Sequence, residues 1–224
     1  ILSTGQWQMI LKHPLLFRLP AISFLKGGDN HQDIPNLCYI VGDLNERHLM
    51  PMPVNFDSFI SKTPGFPKEG ITFYDISPIL EDKVIVKAAM SALCDLAQPM
   101  KPDVIAGIDA RGFLFALPLA MELDCGAIMV RKAGKLPGKV LEQSYALEYG
   151  EARLSLQASR RLHNRRIVLC DDLLATGGTL VAATQLVKQA GGVLAGAVSI
   201  IELTGLKGRD RLDCPVAALQ TYEY

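Results

Sequence analysis

Metal-ligand spacing is missing from this chain of 224 residues. Its five cysteines, Cys38, Cys94, Cys125, Cys170 and Cys214, are widely separated and form no CxxC pair. An odd count at such spacing excludes a disulfide framework and offers no zinc pattern. Cys94, Cys125 and Cys170 stand in apolar runs and read as small buried hydrophobes in a reducing compartment. Net charge is missing too: Lys+Arg and Asp+Glu both number 23. No global attraction to nucleic acid follows, so any anion must be held by local clusters. No apolar run reaches the ~18 residues of a spanning helix, because Lys12, Arg18, Lys26 and prolines interrupt the apolar stretches. Neither nucleic acid nor a membrane is expected as a partner. Internal repeats and low-complexity segments are lacking, which excludes solenoid and fibrous architectures. What remains, 49% hydrophobic and 21% charged residues, is the composition of a globular protein.

The first 51 residues read as an extension outside the folded core. Residues 1–28 hold no acid, and their apolar residues follow no period around Pro14 and Pro20. They lack the contiguous apolar segment and small-residue cleavage site of a secretory signal. Met50 and Met52 both read as plausible starts, and the folded domain is expected over residues 52–224.

Beyond that point the pattern is regular. Phe56–Ile60 and Val84–Ala97 carry helical spacing, the latter with Val84, Ala88, Leu93 and Leu96 near one face. Between them lies a Pro/Gly-rich extended stretch, Thr63–Leu80. Strands are expected at Val104–Ile108, Ala127–Val130, Ile167–Leu169 and Leu194–Leu203, with helices at Phe113–Leu123 and Thr179–Ala190. Apolar runs without alternation mark strands buried on both faces, and their alternation with helices predicts an α/β fold with a parallel sheet flanked by helices. Residues 145–149 and 152–156 alternate across Gly150-Glu151 as a hairpin would.

The chemistry concentrates in Ile167–Leu180, IVLCDDLLATGGTL. An apolar strand runs into Asp171 and Asp172. A loop of small residues follows, Ala175, Thr176, Gly177, Gly178 and Thr179, and then a helix. Such a loop lets backbone N–H groups and hydroxyls converge on one anion at a helix N-terminus. No Lys follows the glycines, so this is not a nucleotide P-loop, and the dinucleotide fingerprint is absent. The paired acids suit ribose hydroxyls or a Mg²⁺-loaded ligand. Asp109, Arg111 and Gly112 sit where the Val104–Ile108 strand gives way to a helix, a second place for an anion. Arg131, Lys132, Lys135 and Lys139 put four cations into nine residues with no acid among them, an anion-binding arm with joints at Gly134 and Gly138. Arg160, Arg161, Arg165 and Arg166 read instead as a solvated face.

The Ile167–Leu180 string resembles the phosphoribosyl-diphosphate (PRPP) signature of the type I phosphoribosyltransferases. FPKEGITFYDISPIL (66–80), AGIDARGFLFALPLA (106–120), RKAGKLPGKV (131–140), SYALEYG (144–150) and IELTGLKGRDRL (201–212) each resemble the adenine phosphoribosyltransferases, in the same order. The resemblance covers about residues 53–224. It implies a hood from about residues 53–80 and a non-proline cis peptide between Asp109 and Ala110. It implies that Arg131, Lys132 and Lys135 contact pyrophosphate, and that Phe73 stacks on adenine while backbone groups around Thr72 and Tyr74 read the base edge. Tyr74 departs from the Arg common in the family. Glu148 is implied as the general acid/base, with Tyr145 and Tyr149 shielding the site. The implied reaction converts adenine and PRPP to AMP and pyrophosphate in cytoplasmic purine salvage. Mg²⁺ is carried by PRPP with no metal held directly by the protein, and the enzyme is a homodimer. Two rivals stay open at this point: a phosphoribosyltransferase for another purine, and a PRPP-sensing regulator without catalysis. An intact basic arm and Glu148 favour an enzyme, and residues 1–50 show no helix-turn-helix pattern.

Overall fold

The computed structural model describes residues 39–40, 49–50, 54–146 and 151–223. The chain divides into two units, Ile1–Val54 and Asn55–Tyr224. Within the first, two short strands, β1 (Tyr39–Ile40) and β2 (Leu49–Met50), pair antiparallel.

The second unit is built on a seven-stranded sheet. Its apolar runs become β5 (Val104–Ile108), β6 (Gly126–Lys132), β9 (Arg166–Leu174), β10 (Val193–Leu203) and β11 (Val216–Tyr222). These pair parallel, and the hairpin of β7 (Val140–Ala146) and β8 (Glu151–Gln157) adds to the β6 edge antiparallel, giving the order β11-β10-β9-β5-β6-β8-β7. Every residue of β5 is buried, which is why its sequence is apolar without alternation. Alternate residues serve opposite faces. Val104, Ala106 and Ile108 join Ile167 and Leu169 in a core with Leu180, Ala183, Leu186 and Val187 of α4 (Gly178–Gln189). The other face is covered by α2 (Lys83–Ala97), packed on β10 and β11, and α3 (Gly112–Glu122), packed on β5 and β9.

Asp82 starts α2 by accepting from the Val84 and Ile85 amides at 2.7 and 3.2 Å. The buried stripe of α2 is Ile85, Ala89, Leu93 and Ala97, and Val84 is 62% exposed. Of the expected face, Leu93 is buried, whereas Val84 is exposed and Ala88 and Leu96 are half-buried, one position off the buried stripe. Both registers are apolar along this helix, and packing chose the one with a strict four-residue step. The expected helix at Phe56–Ile60 is a single 3-10 turn, Phe56–Phe59, capped by Asn55. The Pro/Gly-rich stretch is not simply extended. It holds an antiparallel pair, β3 (Ser61–Pro64) with β4 (Thr72–Asp75), and the short helix α1 (Ser77–Glu81). β11 was not anticipated at all.

Candidate active site

The site forms where β5 and β9 end. The last β9 residue in register with β5 is Cys170, opposite Gly107. β9 then continues to Leu174 beside β10, so Asp171 and Asp172 lie within the strand, not in the loop after it. Both are buried, 9% and 6% exposed. Meanwhile β5 turns off through Asp109 and the cis Asp109–Ala110 peptide into α3. A Cβ on Gly112 would lie 2.5 Å from the Cys170 carbonyl oxygen and 3.1 Å from the Asp171 Cα. Glycine there lets the start of α3 rest on the acids' own strand.

That approach brings Arg111 to the acids. Its Nη2 lies 2.8 Å from Asp172 Oδ2. The pair has ionic distance without hydrogen-bond geometry, and Oδ2 is buried with no hydrogen-bond donor among the described residues. The Asp172 amide donates to Asp171 Oδ1 at 2.9 Å. Burial, and then the adjacent Asp172 charge, push the Asp171 carboxyl well above the usual carboxylate range. Cys170 beside them is buried, which pushes its thiol up and keeps it from serving as a nucleophile.

Ala175, Thr176 and Gly177 form the loop between β9 and α4, and Gly178 and Thr179 open the helix. Gly177 has φ of +78°, a left-handed conformation that glycine adopts without penalty. Thr176 is exposed and Thr179 half-buried at the N-terminus of α4. A loop of this composition at a helix N-terminus can hold an anion.

Arg131 and Lys132 belong to β6, paired with Ser155 and Leu154 of β8, so the expected flexible arm begins only at Ala133. The β7–β8 hairpin extends the sheet past the point where the sequence lost its apolar pattern. Arg131 Nε donates to Asp109 Oδ2 at 3.0 Å, and the Lys132 amide reaches the same oxygen at 3.4 Å. Lys135 lies in the following turn, its carbonyl 3.5 Å from Arg131 Nη1. Asp109 therefore holds the basic segment to the end of β5. Arg160, Arg161, Arg165 and Arg166 are exposed, as expected of a solvated face, and Arg166 also donates to the Met100 and Lys101 carbonyls.

On β4, neighbouring side chains point to opposite sides. Phe73 takes the Arg111 guanidinium over its ring, 5.5 Å from the centroid, and meets Phe66 edge-on at 5.4 Å. Tyr74 turns away and stacks on Tyr222 at 4.6 Å. Thr72 is half-buried beside them. Tyr145 lies on β7, packed against the core. Glu148 and Tyr149 lie outside the described residues. Phe73, Arg111, Asp172 and Asp171 are thus one contiguous cluster, with the Ala175–Thr179 loop at the end of the same strand and Arg131 beside Asp109.

Two contributors were missed by sequence reasoning. Arg211 Nη1 donates to the Thr176 carbonyl at 2.9 Å, and a Cβ on Gly177 would lie 2.5 Å from the Gly208 carbonyl oxygen. Their signal was the IELTGLKGRDRL string itself, which no local rule connects to a loop some 35 residues upstream.

Comparison with known proteins agrees with this geometry. A family model described as a phosphoribosyl transferase domain matches residues 76–217. The adenine phosphoribosyltransferase of Gluconobacter oxydans is 47% identical over 173 residues, 77% of this chain and 97% of that protein. The crystal structure of the adenine phosphoribosyltransferase from Thermoanaerobacter pseudethanolicus superposes with a TM-score of 0.73 at 40% identity, over 76% of this chain and 100% of that one. The Saccharomyces cerevisiae adenine phosphoribosyltransferase, solved with an imino-altritol bisphosphate and adenine, gives 0.70 at 36% identity over 73% and 96%. With a Gly-rich loop at the end of β9 and the Phe73 ring against Arg111, the chain belongs to the adenine phosphoribosyltransferases, within the phosphoribosyltransferase family.

Proposed function

We propose that the cluster of Phe73, Arg111, Asp171, Asp172 and the Ala175–Thr179 loop carries out the reaction of this family. The 5-phosphoribosyl group passes from PRPP to adenine, giving AMP and pyrophosphate in purine salvage. The observation that carries the assignment is the juxtaposition at Arg111: one guanidinium touches both the Asp172 carboxylate and the Phe73 ring. A ribose held on the acids therefore has its anomeric end toward the aromatic ring.

In this scheme the phosphate loop holds the 5-phosphate through backbone N–H groups and the Thr176 and Thr179 hydroxyls. Asp171 and Asp172 take the ribose hydroxyls. Arg111, Arg131, Lys132 and Lys135 hold the pyrophosphate. The C1–oxygen bond to pyrophosphate breaks as the bond from adenine N9 forms, with oxocarbenium character on the sugar. The cations stabilise the charge gained by the leaving pyrophosphate. Glu148 takes the N9 proton, and Tyr145 and Tyr149 shield the site from water. Phe73 stacks on the base, and backbone groups around Thr72 and Tyr74 read its edge.

Among the described residues no group of three or more His, Cys, Asp or Glu side chains could hold a metal ion. Mg²⁺ enters as part of the substrate, neutralising the PRPP pyrophosphate. Asp172 Oδ2, buried without a hydrogen-bond donor, is an oxygen that a magnesium-loaded sugar would satisfy.

The enzyme is a homodimer in this proposal. Leu114, Leu117 and Met121 lie on one side of α3 at 50%, 58% and 73% exposure, an apolar stripe on the helix that also positions Arg111. Among the described residues no helix is long and apolar enough to cross a membrane. The free thiols of Cys94, Cys125, Cys170 and Cys214 suit the reducing cytoplasm. Residues 52–224 form the catalytic domain, with its hood at about residues 53–80, and residues 1–51 stand outside it.

Incubation with PRPP, Mg²⁺ and each purine base in turn tests the assignment. AMP and pyrophosphate are expected in equal amounts from adenine alone. Absence of product with adenine, or equal turnover of hypoxanthine, would overturn it.

A further inference from the structure

The turn after β10 reaches back to the phosphate loop. Gly208 is buried against it, so close that any side chain there would collide with the Ala175 carbonyl, and its own carbonyl faces Gly177. On one side of the contact, Arg209 is fixed to the sheet: it pairs with the buried Glu202 of β10 through Nε at 2.8 Å and through Nη2, and its Nη1 donates to the Val216 carbonyl of β11 at 2.7 Å. On the other side, Leu212 is buried in the core. Arg211 stands between these two anchors. Its guanidinium donates to the Thr176 carbonyl at 2.9 Å.

We propose that Arg211 is a positioning residue for PRPP: it acts through the Thr176 carbonyl and sets the orientation of the phosphate loop. The Thr176–Gly177 peptide is planar, so a fixed Thr176 oxygen fixes the plane and with it the direction of the Gly177 N–H. Without that bond, the loop must hold its amides toward a phosphate with glycines that favour no single conformation. Ordering them would then be charged to PRPP binding. Arg209 and Leu212 keep the lever rigid, and Gly208 lets it approach. The inference rests on the PRPP-binding assignment above.

Arg211 also lines a cleft of about 350 Å³ with Val181, Lys188 and Leu194, outside the cluster of acids and aromatic ring. This opening gives a small cation access to the place a truncated Arg211 would leave, and so supplies a test. Arg211→Ala is expected to raise the PRPP KM about ten- to a hundredfold, the worth of a charged hydrogen bond, with kcat changed less than about threefold and the adenine KM unchanged. Millimolar guanidinium, well below denaturing concentration, should restore the PRPP KM of Arg211→Ala and leave the wild type unaffected. Arg211→Lys should retain part of the PRPP affinity, and it guards against a failure of the alanine variant to fold. An unchanged PRPP KM in Arg211→Ala would overturn the proposal. So would equal rises in both KM values, or a loss that neither guanidinium nor lysine relieves. Direct titration separates the two layers of the argument: a wild type that binds no PRPP overturns the activity assignment itself, whereas PRPP binding equal in wild type and Arg211→Ala overturns only the role of Arg211.

Discussion

Arg111 Nη2 stands 2.8 Å from Asp172 Oδ2 while the same guanidinium covers the Phe73 ring at 5.5 Å. In the proposed scheme Arg111 faces the leaving group, and it touches both the acids proposed to hold the sugar and the ring proposed to stack on the base. Arg111→Gln is expected to weaken PRPP about ten- to a hundredfold, the worth of a charged hydrogen bond. It should also raise the adenine KM, because the ring loses its cationic neighbour. Titration with PRPP alone and steady-state kinetics in adenine separate the effects. An adenine KM equal to that of the wild type would show that the two halves of the site are independent.

Asp171 couples stability to function. Its folded-state carboxyl is raised by burial and by Asp172. A raised acid binds more protons folded than unfolded, so stability falls as pH rises from the unfolded value near ~4 toward the folded one. Asp171→Asn removes that penalty. Its Tm should exceed the wild-type Tm at pH 7 by about 2–4 °C for each kcal/mol relieved, and the gap should close as pH approaches ~4. PRPP affinity should fall in the same variant, since the proposed ribose contact loses a carboxyl oxygen. A Tm difference that does not vary with pH would refute the account.

Phe73 is the ring proposed to stack on the base. Stacking on an aromatic side chain contributes ~1–3 kcal/mol per base, so Phe73→Ala should raise the adenine KM about 5- to 150-fold. PRPP binding measured without adenine should stay unchanged. In the wild type, hypoxanthine and guanine should be poorer than adenine by more than about tenfold, because a site that pairs one edge leaves polar groups unpaired with another.

Glu148→Gln should lower turnover by about 10²–10⁴ while PRPP affinity changes little, since the amide keeps the shape and loses the base. AMP formation and PRPP titration on one preparation read both halves. Near-normal turnover would move the proton to another group or to water.

The α3 stripe predicts assembly. Leu117→Glu combined with Met121→Glu should convert a dimer to a monomer in sedimentation velocity. A wild-type protein already monomeric at micromolar concentration would remove that role from the helix.

Much of this was legible in residue order. β5 and β10 announced themselves because burial on both faces demands unbroken apolar runs, and the Ala175–Thr179 loop because its small residues follow two acids at the end of such a run. Asp171 and Asp172 were found, but their place inside a strand was not, since a buried carboxylate contradicts every local preference and is tolerated only beside a group such as Arg111. β11 escaped notice because its VAALQTY run is half-buried and mixes polar with apolar residues. The β3–β4 pair was hidden by Pro64, Gly65, Pro67 and Gly70, which read as loop. Arg211 lay beyond local reasoning altogether, because its partner is a backbone carbonyl whose position only the folded sheet decides.

The clasp between Tyr74, Tyr222 and Asp57 has a consequence for how the molecule comes into being. Tyr222 stacks on Tyr74 of β4 and donates to Asp57 Oδ1 at 2.6 Å, across 165 positions of sequence. A ribosome delivers β4 early and β11 late. Until β11 has emerged and paired with β10, the strand carrying Phe73 lacks the surface it leans on. Closure of that strand against Tyr222 is therefore among the last events of folding during synthesis.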